Sequence, residues 1–173
     1  LLWSALDPHI MDPDYYDILV VKTLLCVDAA MASHQQSQAL HETFICLLSK
    51  MSCFQSAVNE KDLKFSLRLV VEAMKAETMK THSNSWIVAL HGCQCLANIC
   101  KRSPSLLRSQ PVVDGIPVII SCMKIFQDNV AIQSEACAAL SVLCIHSPPN
   151  KDRVNEMDGI NRIKHAHDLL ITS

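Results

Sequence analysis

The chain has 173 residues, a formal net charge of −2 and apolar side chains at half of its positions. This length can bury a core without metals or disulfides, and the apolar fraction excludes an intrinsically disordered segment. No strong Lys/Arg run supplies the basic stripe that nucleic acid binding requires, and no apolar run is as long as a membrane span. We therefore expect neither nucleic acid nor a membrane among its partners.

Glycine and aromatic residues are few, whereas Leu, Ala, Ile, Val and Met are plentiful, which favours helices packed on helices over a sheet. Apolar residues recur at helical spacing, and no segment alternates at the period of a strand. The expected N-caps are Asp62, Ser85, Asp114 and either Asp128 or Asn129. Pro104 and Pro148 end the helices before them. The predicted helices cover residues 17–31, 37–51, 63–80, 85–102, 114–126, 129–146, 150–157 and 158 onward.

The nine cysteines, an odd number, lie mostly inside these apolar helical runs. Such usage is typical of small buried hydrophobes in a reducing compartment, whereas a secreted disulfide framework places an even number in loops. We therefore predict a cytoplasmic protein; the sequence begins at Leu1 without an initiator Met, and a part of a longer chain and a complete chain are both kept as alternatives. The cysteines expected in the core include Cys26, Cys46, Cys95, Cys100, Cys137 and Cys144.

The tripeptide Asp-Gly-Ile occurs at 114–116 and again at 158–160, forty-four residues later. The same shift aligns apolar core positions and helix breakers without a gap, as repeated supersecondary units do. A weaker copy lies upstream, with Asp62-Leu63 in place of Asp-Gly. The aligned pairs are Cys93 with Cys137, Leu96 with Leu140, Cys100 with Cys144, Ser103-Pro104 with Ser147-Pro148, and Ile119 with Ile163. The expected units of this single domain (1–173) are 14–61, 62–113, 114–157 and a partial 158–173.

Residues 114–157, DGIPVIISCMKIFQDNVAIQSEACAALSVLCIHSPPNKDRVNEM, resemble one armadillo repeat. In that family a short first helix and a Gly-containing turn precede two longer antiparallel helices. Gly115-Ile116-Pro117 matches the opening of the second helix, and Glu135–Leu143 matches the third. The resemblance is clearest over 114–160 and implies an all-α, right-handed α-solenoid that serves as a protein-interaction scaffold. Two-helix repeats of the HEAT or tetratricopeptide type are an alternative with the same role.

The two Asp-Gly pairs are interpreted as repeat junctions, where the first helix of a unit turns into the second. Gly115 and Gly159 are expected to permit the bend, through a positive φ or a close backbone approach. Asp114 and Asp158 are expected to cap the helices that follow. A generic Asp-Gly turn is the alternative.

Candidate chemical groups are poorly placed for catalysis or metal binding. Cys93 and Cys95, like His165 and His167, are two residues apart on predicted helices, so neither pair shares a helix face. Motifs for nucleophilic catalysis, dinucleotide binding and phosphate binding are missing from the sequence. We therefore expect no enzymatic activity, no cofactor and no metal, and we interpret the cysteine pair as core packing.

Nuclear-import adaptors of the armadillo family carry Trp on each third helix and, four residues later, Asn, which together hold an extended cargo peptide. The matching positions here are Gln94 and Ala138 for Trp and Asn98 and Val142 for Asn. Only Asn98 fits, so the import-adaptor role is not implied. An extended partner on this face remains the main hypothesis, with solvation alone as the alternative. The candidate partner-binding residues are His91, Gln94, Asn98, Arg102, Ala138 and Val142.

A second functional hypothesis makes the domain a structural or oligomerisation module of a larger cytoskeletal or regulatory protein. In that case the ends of the helical array contact the partner or another copy, because the ends of a repeat array expose apolar surface.

Overall fold

A computed structural model of the chain describes residues 13–34, 37–53, 59–79 and 85–172. All the regular secondary structure in these ranges is helical, which confirms the predicted all-α class. A short 3₁₀ helix, Pro104–Arg108, precedes the fifth α-helix. The α-helices are α1 (Pro13–Ser33), α2 (Gln38–Cys53), α3 (Glu60–Thr78), α4 (Trp86–Arg102), α5 (Gln110–Ile125), α6 (Val130–Cys144), α7 (Pro148–Glu156) and α8 (Gly159–Thr172).

The helices pack as two layers, because each long helix contacts the helix two places along the chain as well as its neighbour in sequence. In one layer α4 packs between α2 and α6. In the other, α3 packs between α1 and α5, and α8 follows against α5. The core between the layers consists of aliphatic and Met side chains. Among those fully buried are Leu67, Leu69, Met74, Leu96, Ile99, Ile116, Ile119 and Met123.

Side chains that precede the helices satisfy backbone N–H groups, as the first turn of a helix requires. Ser85 Oγ accepts a hydrogen bond from the backbone N–H of Val88 at 3.3 Å, as predicted. Asn129 Oδ1 does the same for Ile132 at 3.1 Å. The start of α3 differs from the prediction, because Asn59 rather than Asp62 is the cap. Asn59 Oδ1 accepts from the N–H of Asp62 at 3.0 Å.

The junction predicted at Asp114-Gly115 lies instead inside a helix. Helix α5 begins at Gln110, so Asp114 is not an N-cap; its carboxylate accepts from Gln110 Nε2 at 2.7 Å. Pro111 explains the shift, because it stands at the first turn of α5, where its missing N–H is harmless. A helix that began at Pro104 could not continue through Pro111. In the 44-residue register, α7 begins at the equivalent proline, Pro148; its sequence contains no proline after Pro149, and it continues to Glu156.

The junction at Asp158-Gly159 does form a corner, and Gly159 has one of the two roles expected of it, whereas the positive φ falls on Asp158. Asp158 takes the left-handed conformation, with φ 64°, and no described glycine has a positive φ. Asp tolerates that region better than most residues. Gly159 instead allows a close approach, since a Cβ there would lie 2.7 Å from the carbonyl oxygen of Val154.

Pro117 lies within α5 and cannot donate to the carbonyl of Val113, four residues earlier. Arg153 of α7 takes that place: its Nη1 donates to the Val113 oxygen at 3.3 Å. The freed acceptor therefore becomes a contact between two helices.

Two buried amides hold helix ends that would otherwise leave carbonyls unpaired. Asn150 Nδ2 donates to the carbonyl oxygens of Leu107 at 2.9 Å and Leu143 at 2.7 Å. Gln133 Nε2 donates at 2.9 Å to the oxygens of Met123 and Phe126, at the end of α5. Such carbonyls are costly to bury without a partner. Asn150 thereby joins α7 to the end of α6 and to the 3₁₀ helix.

The two glycines of the repeated tripeptide should respond differently to Ala. We expect Gly159→Ala to lower the free energy of unfolding by about 1–3 kcal/mol, because its Cβ would crowd a backbone oxygen. Gly115→Ala should change it by less than about 1 kcal/mol, because the gain in helix propensity offsets a tight contact with Val71. Urea unfolding of both variants measures the difference. Equal losses would show that the close approach at Gly159 is absent.

We also expect Asn150→Ala to lower the free energy of unfolding by about 2–4 kcal/mol, since two buried carbonyls would lose their donor. The control is Asn155→Ala on the exposed side of the same helix, which should stay within about 0.5 kcal/mol of the wild type. Urea unfolding again provides the measurement. A loss at Asn150 no larger than at Asn155 contradicts the bridging role.

Candidate functional site

The polar candidates on α4 form one stripe along the seam between α4 and α2. His91, Gln94 and Asn98 follow one another at helical spacing and are half-buried. The His91 ring donates from Nδ1 to Gln94 Oε1, 2.9 Å away, since that oxygen can only accept. Ser49 of α2 donates to the same oxygen at 3.5 Å. Gln94 therefore links its own helix to α2 through its carbonyl oxygen.

The C-terminal part of the stripe is also hydrogen-bonded to α2. Asn98 Nδ2 donates to Ser52 Oγ at 3.4 Å, and Arg102 Nη1 donates to the Ser52 carbonyl oxygen at 3.3 Å. Both side chains are half-buried, so they combine a structural contact with an exposed edge. The stripe is a polar seam that stabilises the packing of α4 on α2 and still faces solvent.

The two remaining candidates lie on α6, the next helix of the same layer. Ala138 is exposed and Val142 is half-buried. Because α4 and α6 pack together, the structure places all six candidates in one layer: a polar part on α4 and an apolar part on α6. Ala138 and Val142 have short apolar side chains on α6, whereas the polar stripe lies against α2.

Most of the described cysteines lie in or near the core. Cys93 and Cys95 are fully buried, and Cys95 Sγ donates weakly to the carbonyl oxygen of Ile45 at 3.9 Å. Burial raises the pKa of Cys93 well above its usual value and raises the pKa of Cys100 and Cys122 to about 12. Those thiols therefore stay neutral and are poor nucleophiles.

The core prediction is wrong for Cys26, which is exposed, and only partly right for Cys46, Cys137 and Cys144, which are half-buried. All of these are free thiols. His165 and His167 lie on the exposed side of α8, where His167 Nδ1 is 3.4 Å from an oxygen of Asp168. Within the described ranges no three His, Cys, Asp or Glu side chains form a group that could hold a metal.

A concave site lies on the layer formed by α1, α3 and α5, and it was not predicted from the sequence. Its volume is about 490 Å³, and it is bounded by α1, α3 and the start of α5. The sequence pattern that could have revealed it is a set of three basic residues and one aromatic residue at helical spacing on α3. The residues that line it are Leu24, Leu25, Lys61, Asp62, Lys64, Phe65, Arg68 and Pro111. The name "α3 groove" is used for it below.

Comparison with protein-family models, curated proteins and solved structures finds no match to this chain. Among the described residues, no helix combines the length and the apolar character needed to cross a bilayer.

Proposed function

We propose that the chain is a non-enzymatic protein-interaction scaffold that binds a peptide or partner domain along α4 and α6. The proposal includes an architecture: a right-handed α-solenoid of armadillo-like repeats. It is supported by the contacts of each helix with the helix two places along the chain and by the 44-residue sequence register. Buried free thiols such as Cys93 and Cys100 favour a reducing, cytoplasmic setting.

The observation that carries the proposal is the half-buried polar seam on α4, in the same helical layer as the short apolar side chains of α6. Gln94 uses its oxygen for His91 and Ser49, while its Nε2 makes no hydrogen bond to any residue in the described ranges. That amide can donate to the backbone carbonyl of an extended peptide. Ala138 and Val142, on α6 in the same helical layer, offer apolar contact. Backbone hydrogen bonds and adjacent apolar contacts together are the terms that hold extended peptides.

A long charged side chain on the exposed side of α6 should prevent partner binding without unfolding the protein. We expect Ala138→Arg to reduce recovery of a captured partner roughly tenfold or more, because a long charged side chain would cover the exposed apolar position on α6. Affinity capture from a matched lysate, followed by a titration with the purified partner, measures the effect. Asn155→Arg, at an exposed position of α7, is the matched control and should leave recovery unchanged.

Equal recovery of the partner by Ala138→Arg and by the control would show that the partner does not bind along α4 and α6. Far-ultraviolet circular dichroism and urea unfolding establish that both variants stay folded. Alanine replacements in the seam are less suitable, because Asn98 and Arg102 bond to α2 and their loss would also weaken the fold.

A second candidate function uses the α8 end of the array, and one comparison favours it. Ile116 on α5 is fully buried, whereas Ile160, its counterpart in the 44-residue register, is 44% exposed. Leu170 and Ile171 on the same helix are also exposed, the latter by 69%. Apolar side chains exposed on one helix are typical of a surface that contacts another module.

For this second function we expect self-association that Ile171→Lys abolishes, because a charge would replace the most exposed apolar residue of α8. Sedimentation velocity over a concentration series measures it, with Thr172→Lys, an exposed polar neighbour, as the control. A wild-type chain that stays monomeric at all concentrations would count against assembly through this end and favour the α4–α6 surface.

A further inference from the structure

The α3 groove has an apolar floor that is open to solvent. Leu25 of α1 is 57% exposed and lies beside the buried Leu24. Phe65 of α3 and Pro111 of α5 complete the apolar lining. Its volume of about 490 Å³ lies within the range of sites that bury a ligand, about 300–1,000 Å³. A bulky apolar side chain entering the groove would cover this surface.

The rim of the groove carries two lysines that have no ion-pair partner among the described residues. Lys61 and Lys64 are exposed, and neither forms an ion pair with any residue that the structure describes. Arg68 is already engaged, through an ion pair with Asp28 at 2.9 Å and by stacking 4.7 Å from the centre of the Phe65 ring. The Asp62 carboxylate accepts from Asn59 Nδ2 at 2.6 Å. Among the residues that the structure describes, Lys61 and Lys64 therefore have no ion-pair partner, and the Asp62 carboxylate lines the groove together with them.

We propose that the α3 groove is a second docking site, for a peptide segment in which a bulky apolar residue is flanked by Asp or Glu. The apolar residue packs on Leu25, Phe65 and Pro111, and the carboxylates meet Lys61 and Lys64. Charge complementarity at the rim fixes orientation and speeds association, while burial of the apolar side chain supplies affinity. The whole chain is slightly acidic, so this local positive charge is not a general property of its surface.

Nucleic acid is the less suitable anionic partner for this site. Its binding depends on many simultaneous phosphate contacts, whereas the described lining of the groove has two lysines without an ion-pair partner, the Asp62 carboxylate and an apolar floor. The site is also independent of the surface on α4 and α6, since the two belong to different helical layers.

Selection from a random twelve-residue peptide display library on the full 173-residue chain tests the proposal. We expect selected peptides to be enriched in Leu, Phe or Trp flanked by Asp or Glu. Fluorescence anisotropy then measures their affinity for wild type and for Lys61→Glu/Lys64→Glu. The charge-reversed variant should bind roughly tenfold or more weakly, and wild-type binding should weaken as salt is added.

The matched control is Lys101→Glu/Lys124→Glu, which reverses two exposed lysines outside the groove and should leave affinity unchanged. Ala138→Arg should also bind the selected peptides normally, which separates this site from the one on α4 and α6. Failure to select any peptide, selection without acidic enrichment, or equal binding by the Lys61/Lys64 variant overturns the proposal. Self-association that Leu25→Asp abolishes would show that a second copy of the chain covers the groove and would overturn it as well.

Discussion

The packing of α4 between α2 and α6 is the constraint on which the rest of the structure depends. Helix α4 also contacts α3, so most of its surface is covered, and its buried residues include Val88, Cys93, Leu96 and Ile99. Small residues such as Gly92, where a Cβ would clash with Met74, let the neighbouring helices approach. With these faces buried, the half-buried stripe beside α2 still keeps access to solvent. The candidate interaction surface is thus a consequence of how the core is packed.

Buried polar groups then set where the helices end and how neighbouring helices meet. Asn150 and Gln133 supply donors to carbonyls at the ends of α6, the 3₁₀ helix and α5. Arg153 serves the carbonyl that Pro117 leaves without a donor. Apolar packing is non-directional, whereas these hydrogen bonds require particular atoms at particular distances. They therefore define the geometry between α5 and α7, while the aliphatic core supplies most of the stability.

Helical periodicity and helix breakers predicted the all-α class and most helix positions, because both depend on local sequence. The caps at Ser85 and Asn129 were also predictable, since one side chain and one nearby N–H suffice. The junction at Asp114 was not, because Pro111 restarts the helix earlier than the repeat register suggests. The exposure of Cys26 and the α3 groove depend on how α1 and α3 meet. Such contacts join residues distant in sequence, and one sequence does not specify them.

In a fold organised around α4, that helix is the most protected and α8 is only partly covered, a difference that hydrogen exchange measures directly. Amides within the buried part of α4, residues 92–100, should exchange most slowly, close to the rate set by global unfolding. Amides of α8 should exchange much faster, because only Gly159 and Ala166 of that helix are buried. Native-state exchange followed by mass spectrometry resolves the two helices. Protection of α8 equal to or greater than that of α4 would contradict a fold organised around α4.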